Sequence, residues 1–204
     1  MFKKIFAVLV FLFLVLDGRA QQAIKIDAAG LPNFYKISDN FYRGAQPLKE
    51  GFEKLPDYGV KTIINLRAGH SDEKYLTGVP LNYKEIKINA WDLKEKHIKS
   101  FLDIIADPAN LPVFIHCKHG ADRTGAMTAV YRIVVEGWSK EDAVKEMTKG
   151  PFGFHAIWAN LPKTINALDV EKLRAYYAAA RNAALKRENM VRIPAAAVTP
   201  PAGY

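Results

Sequence analysis

Apolar residues along this chain change their spacing repeatedly, and each change marks an element. Phe34 to Ile37 and Asn40 to Arg43 flank Ser38-Asp39 and predict a short hairpin, broken by Arg43-Gly44-Ala45-Gln46-Pro47. Leu48 to Tyr58 reads as a helix closed by Gly59, and Val60 to Leu66 as a buried strand rich in β-branched residues. A polar loop, Arg67 to Gly78, separates it from a second strand, Leu81 to Ile88. Ile98, Phe101, Leu102 and Ile105 then fall at i, i+3, i+4 and i+7, the stripe of an amphipathic helix over Leu93 to Ala106, ended by Asp107-Pro108. Pro112 to Ile115 is a short apolar strand, and Gly125 to Val135 is apolar almost all round, which predicts a helix inside the core. Ser139 with Asp142 caps a helix to Lys149, and Ile157 to Leu168 and Val170 to Glu188 predict two more. Strands alternating with helices imply one α/β domain, in which ligands bind beyond the carboxyl ends of the strands.

The ends of the chain differ from its middle. Lys3 and Lys4 precede an unbroken apolar run from Ile5 to Leu16, and Gly18-Arg19-Ala20 offers small residues for a peptidase. Residues 1–20 therefore read as a secretory signal, with an uncleaved membrane anchor as the alternative. Cleavage would lower the formal charge from +8 to +6. Residues 21–32 read as an extended lead-in, 33–188 as the domain, and 189–204, with Pro194, Pro200 and Pro201, as a disordered tail. The expected location is outside the cytoplasm, in the periplasm, with no stable anchor once the signal is gone. The modest basic balance suits anionic substrates, and the chain has no nucleic-acid motif and no long Lys/Arg run. A monomer is expected. An exported chain with a single cysteine has no internal disulfide, so Cys117 suits a chemical role better than a structural one.

Cys117 opens the stretch that concentrates chemistry, His116-Cys117-Lys118-His119-Gly120-Ala121-Asp122-Arg123-Thr124-Gly125. An apolar strand leads in and an apolar helix leads out, so the segment is a strand, a tight loop and a helix N-terminus. Loop N–H groups and the unpaired donors of the first helical turn converge on an anion. Arg123, six positions after Cys117, can grip phosphate oxygens with two prongs. A thiol at the mouth of such a cradle is biased toward thiolate and aimed at whatever the cradle holds.

His116, Cys117, Gly120, Arg123, Thr124 and Gly125 match the signature of the cysteine-dependent phosphatases, and the chain resembles that superfamily. Further segments, Phe41 to Pro47, Val60 to Arg67, Tyr131 to Trp138 and Phe152 to Phe154, are similar to the small bacterial dual-specificity or tyrosine phosphatases, some of which are exported. The resemblance spans about residues 33–173 and implies a central, mostly parallel sheet flanked by helices. It implies a phosphocysteine on Cys117 and equatorial oxygens held by the Arg123 side chain and the N–H groups of Lys118, His119, Gly120, Ala121, Asp122 and Arg123. Thr124 would donate to the Cys117 sulfur, and His116 would orient the loop. Lys118 adds charge for a phosphate-rich substrate or is plain surface charge. Neither a metal nor a cofactor is required.

The leaving oxygen needs an acid on a separate loop. Asp92, in Asn89-Ala90-Trp91-Asp92 and 25 residues before Cys117, is the first choice, with a helix cap as its alternative role. Asp122 is the rival acid, or else a structural tie for the loop. Arg43 and the segment Phe152 to Trp158 read as packing features. Three functions remain: a phosphotyrosine or dual-specificity protein phosphatase acting on a phosphorylated protein or small phosphomonoester; a phosphatase for inositides or other small or lipid phosphates, disfavoured by Ala121 where inositide-type loops often carry lysine; and a non-hydrolytic phosphate-binding or thiol redox-sensing module.

Overall fold

The computed structural model describes residues 22–192. Six strands, β1 (Ile24–Lys25), β2 (Tyr35–Ser38), β3 (Phe41–Gly44), β4 (Thr62–Arg67), β5 (Asn82–Ile88) and β6 (Val113–His116), form one sheet in the order β1-β2-β3-β6-β4-β5. The pairs β3–β6, β6–β4 and β4–β5 are parallel; β1–β2 and β2–β3 are antiparallel. The helices are α1 (Lys49–Lys54), α2 (Glu95–Ala106), α3 (Asp122–Val134), α4 (Lys140–Lys149), α5 (Asn160–Asn166) and α6 (Val170–Arg192).

The central strands are covered on both sides, which is why β4 and β6 are buried almost throughout, Thr62, Asn65 and His116 included, rather than on alternate residues only. Alternate residues serve opposite faces. Ile64 and Ile115 join Ile98, Phe101, Met127 and Val130 in the larger core, whereas Ile63 and Phe114 pack with Leu31, Phe34, Phe52 and Leu55 on the other side. Every residue of α3 except Arg123 is buried. Arg132 tolerates this because Glu146 accepts from it twice, at 3.0 and 2.7 Å, Glu136 accepts once at 2.6 Å, and Trp138 lies 4.2 Å away under the guanidinium.

Two expected boundaries move. The lead-in joins the domain: β1 adds an edge strand to β2, and Leu31 is buried. At the other end α6 continues to Arg192, four residues past the expected limit of the domain, because nothing between Glu188 and Arg192 breaks a helix. The signal segment and the tail beyond 192 lie outside the described residues. Among the described residues no helix is long and apolar enough to cross a membrane.

Candidate active site

β6 delivers Cys117 to the base of the loop, where it is 1% exposed. Gly120 has φ of 70°, and the loop there presses on the turn after β3 so closely that a Cβ would sit 2.5 Å from the carbonyl of Gly44 and the nitrogen of Ala45. Only glycine fits. Gly120→Ala should therefore disorder the loop, giving at least a ~100-fold loss of activity and a lower melting temperature; near-native activity in a folded variant would contradict this geometry.

The N–H groups of residues 118–123 donate to no carbonyl among the described residues, so they are available to an anion. The loop carbonyls, by contrast, are held: those of Lys118 and His119 accept from the Gln46 N–H and from Asn33 Nδ2. Arg43 Nη2 donates to the Gly120 carbonyl at 2.7 Å, and its guanidinium lies 3.7 Å from the centre of the Phe152 ring. Arg43 is fully buried, and burial pushes its pKa down to about 10 against the opposing fields of Glu146 and Cys117. This residue, expected as packing, is a buried cation directly under the loop; its Nε and Nη1 find no partner among the described residues. Arg123 Nη1 donates to the Ile88 carbonyl at 3.1 Å, which ties the loop to the end of β5.

A second support reaches His116. Asp72 is fully buried, although it lies in what the sequence presents as a polar loop. Its Oδ2 accepts from His116 Nε2 at 2.8 Å and its Oδ1 from Gln46 Nε2 at 2.7 Å. Gln46 Oε1 accepts in turn from Arg67 Nη1 at 2.7 Å. Since a carboxylate only accepts, His116 carries its proton on Nε2. Arg67 has its pKa lowered by burial first and then by the field of Arg123, with Asp72 and Cys117 opposing. Sequence patterns do not mark Arg67, Asp72, Gln46 or Arg43 as site residues. Gln46 and Arg43 lie in a segment that carries the family resemblance, which is the available signal; Asp72 has none.

The two candidate acids separate clearly. Asp122 is 5% exposed and committed: its Oδ1 accepts from the His155 backbone N–H at 2.9 Å, and His155 Nδ1 lies 2.9 Å from Oδ2. Asp92 is half-exposed, with Lys94 Nζ 2.9 Å from Oδ2. It does not cap α2, whose first turn is closed instead by His97 Nδ1 accepting from the Lys94 N–H at 3.1 Å. Its loop follows β5 and is held by Asn160, whose Nδ2 donates to the Ala90 carbonyl at 2.8 Å. Lys118 and His119 are exposed on the rim; burial and then Lys118 hold His119 below the usual imidazole pKa. Thr124 Oγ1 is buried with no hydrogen-bond partner among the described residues, so the expected bond to the Cys117 sulfur is absent here. A hydroxyl without a partner beside the loop is nonetheless a donor in reserve.

An α/β domain with a mostly parallel sheet, a cysteine at the end of a central strand, and a tight loop leading to an arginine on the first helical turn defines a member of the cysteine-phosphatase superfamily. Residues 31–158 match the family described as DSP-PTPase phosphatase fused to NAD+ kinase, and the chain belongs to it. The dual specificity protein phosphatase TpbA of Pseudomonas aeruginosa is 33% identical over 143 residues, covering 70% of this chain and 65% of TpbA. The chain thus spans somewhat less than two thirds of that relative's length. The crystal structure of P. aeruginosa TpbA superposes with a TM-score of 0.68 at 32% identity, covering 76% of this chain and 96% of that one. The catalytic core of the Saccharomyces cerevisiae phosphatase Siw14, at 22% identity and a TM-score of 0.63, covers 79% of this chain and 96% of that one, and shares the fold.

Proposed function

We propose that this chain hydrolyses phosphomonoesters through a phosphocysteine, with phosphotyrosine or other phosphorylated protein side chains as substrates. The observation that carries the reading is the loop itself: between Cys117 and Arg123 the N–H groups from 118 to 123 donate to no carbonyl among the described residues, while the Gly120 carbonyl accepts from Arg43. The Cys117 thiolate attacks phosphorus, the S–P bond forms, and the bond to the leaving oxygen breaks. The N–H groups and Arg123 hold the three equatorial oxygens, where charge concentrates in the transition state. Asp92 gives its proton to the leaving oxygen and later takes one from the attacking water. Thr124 Oγ1 donates to the sulfur as it departs. His116, locked by Asp72, orients the loop. A crystal structure of a cysteine-to-serine variant of TpbA in complex with pTyr, 31% identical to this chain, supports phosphotyrosine as a substrate. The apolar run after Lys3 and Lys4 supports export to the periplasm.

Single-turnover rates on an aryl and an alkyl phosphate test the acid assignment. Asp92→Asn should slow the alkyl ester by about 10²- to 10⁴-fold and the aryl ester, whose leaving group needs little protonation, much less. Asp122→Asn should affect both esters alike, through the His155 tie. If Asp92→Asn spares the alkyl ester while Asp122→Asn abolishes its turnover, the roles are reversed. A panel of phosphopeptides and inositol phosphates decides the substrate class; faster turnover of inositol phosphates would move the enzyme to small phosphates.

A further inference from the structure

On the rim of the cradle three metal-ligating side chains meet that the proposed reaction does not use as ligands. His119, Asp122 and His155 each offer one ligand atom, and these atoms lie within 4.8 Å of one another. We propose that they form a binding site for a borderline divalent transition metal of the Zn²⁺ class, separate from the thiol and not needed for turnover. The donor set, two imidazoles and a carboxylate, suits such an ion.

Asp122 Oδ2 and His155 Nδ1 are already 2.9 Å apart. Two ligands of one tetrahedral zinc lie about 3.3 Å apart, so the pair needs to open by only a few tenths of an ångström. Asp122 Oδ1 keeps the His155 backbone N–H throughout, at 2.9 Å, so the carboxylate stays oriented while Oδ2 turns to the ion. To bind the ion through Nδ1, His155 carries its ring proton on Nε2. His119, exposed and with its ring 5.2 Å from that of His155, supplies the third ligand by a side-chain rotation.

The site is held together by more than chance proximity of two surface histidines. Asn33, the one non-glycine among the described residues with positive φ, donates from Nδ2 to both the His119 carbonyl, at 2.9 Å, and the Phe152 carbonyl, at 3.0 Å. One side-chain amide thus clamps the loop carrying His119 to the segment carrying His155. Lys118 and Arg123 weaken a cation site by their charge, but Lys118 is exposed and free to swing away, and the buried Asp122 supplies the compensating negative charge.

The test is calorimetric titration of Zn²⁺ into the full chain carrying Cys117→Ser, which removes the thiolate as a competing ligand, with Co²⁺ as a spectroscopic probe. The expected result is one ion per chain, with visible Co²⁺ bands of nitrogen and oxygen ligands. Adding His119→Ala or His155→Gln should each weaken binding by more than about tenfold, with thermal unfolding and far-UV circular dichroism confirming a folded chain. Asn33→Ala, which loosens the clamp without touching a ligand, should weaken it less. Loss of binding in Cys117→Ser alone, or undiminished binding in folded His119→Ala and His155→Gln variants, would overturn the proposal.

Discussion

Cys117→Ser is expected to reduce phosphate release by about 10⁴-fold or more while leaving phosphopeptide binding intact. The two outcomes come from different parts of the site. Serine puts an oxygen where the sulfur was, but a hydroxyl is a far weaker acid and a poorer nucleophile than a thiol, so attack on phosphorus fails. The groups proposed to hold the phosphate are elsewhere: the N–H groups of 118–123, which donate to no carbonyl among the described residues, and the guanidinium of Arg123. Cys117 is fully buried at the end of β6, and replacing sulfur by oxygen changes little in its packing. Single-turnover kinetics with a phosphotyrosine peptide measure the first effect and calorimetry the second. A variant that turns over at the native rate, or one that folds but no longer binds, contradicts the assignment of Cys117 as nucleophile within an independent cradle.

Asp72→Ala should cost about 3–5 kcal/mol of stability, or a fall in melting temperature of about 10 °C, together with a loss of activity. Polarity fixes the chain of bonds from end to end. Arg67 can only donate, so Gln46 must present its carbonyl to Arg67 and its amide to Asp72. Asp72 must then accept, and does so again from His116 Nε2. Alanine at 72 strands the Gln46 amide and the buried His116 N–H, and Gln46 cannot flip without setting donor against donor at Arg67. Asp72→Asn should fall between the native protein and Asp72→Ala, since one oxygen still accepts from His116 while the new NH₂ confronts Gln46. Differential scanning calorimetry and turnover of an aryl phosphate check both effects. If Asp72→Ala matches the native protein in both, the chain of bonds contributes nothing to placing the loop.

The cradle and its neighbours were legible to different degrees. The strand before Cys117 and the helix after Arg123 showed in their apolar runs, and the spacing of Cys117, Gly120, Arg123 and Thr124 marked an anion site. Asp92 could be proposed because it follows a recognisable strand, but the contact that gives Asp122 different surroundings, with His155 33 positions away, could not be read from the sequence. Arg43 looked like packing because a lone arginine at a strand end carries no period; its role follows from β3 lying beside β6, with Gly44 opposite His116. Asp72 sat among Ser71, Glu73 and Lys74, where one more charge says nothing.

The sequence by itself determined the layered α/β class and marked Cys117, Arg123 and the loop between them as the proposed site, because each depends on residues close together in the chain and on local backbone conformation. Tertiary structure decided what stands behind and around that loop: the cation under Gly120, the carboxylate locking His116, and the meeting of His119 with His155. Those contacts join residues 33 to 77 positions apart or link separate loops, and a burial or partner set by the packing of distant elements leaves no period or spacing to read.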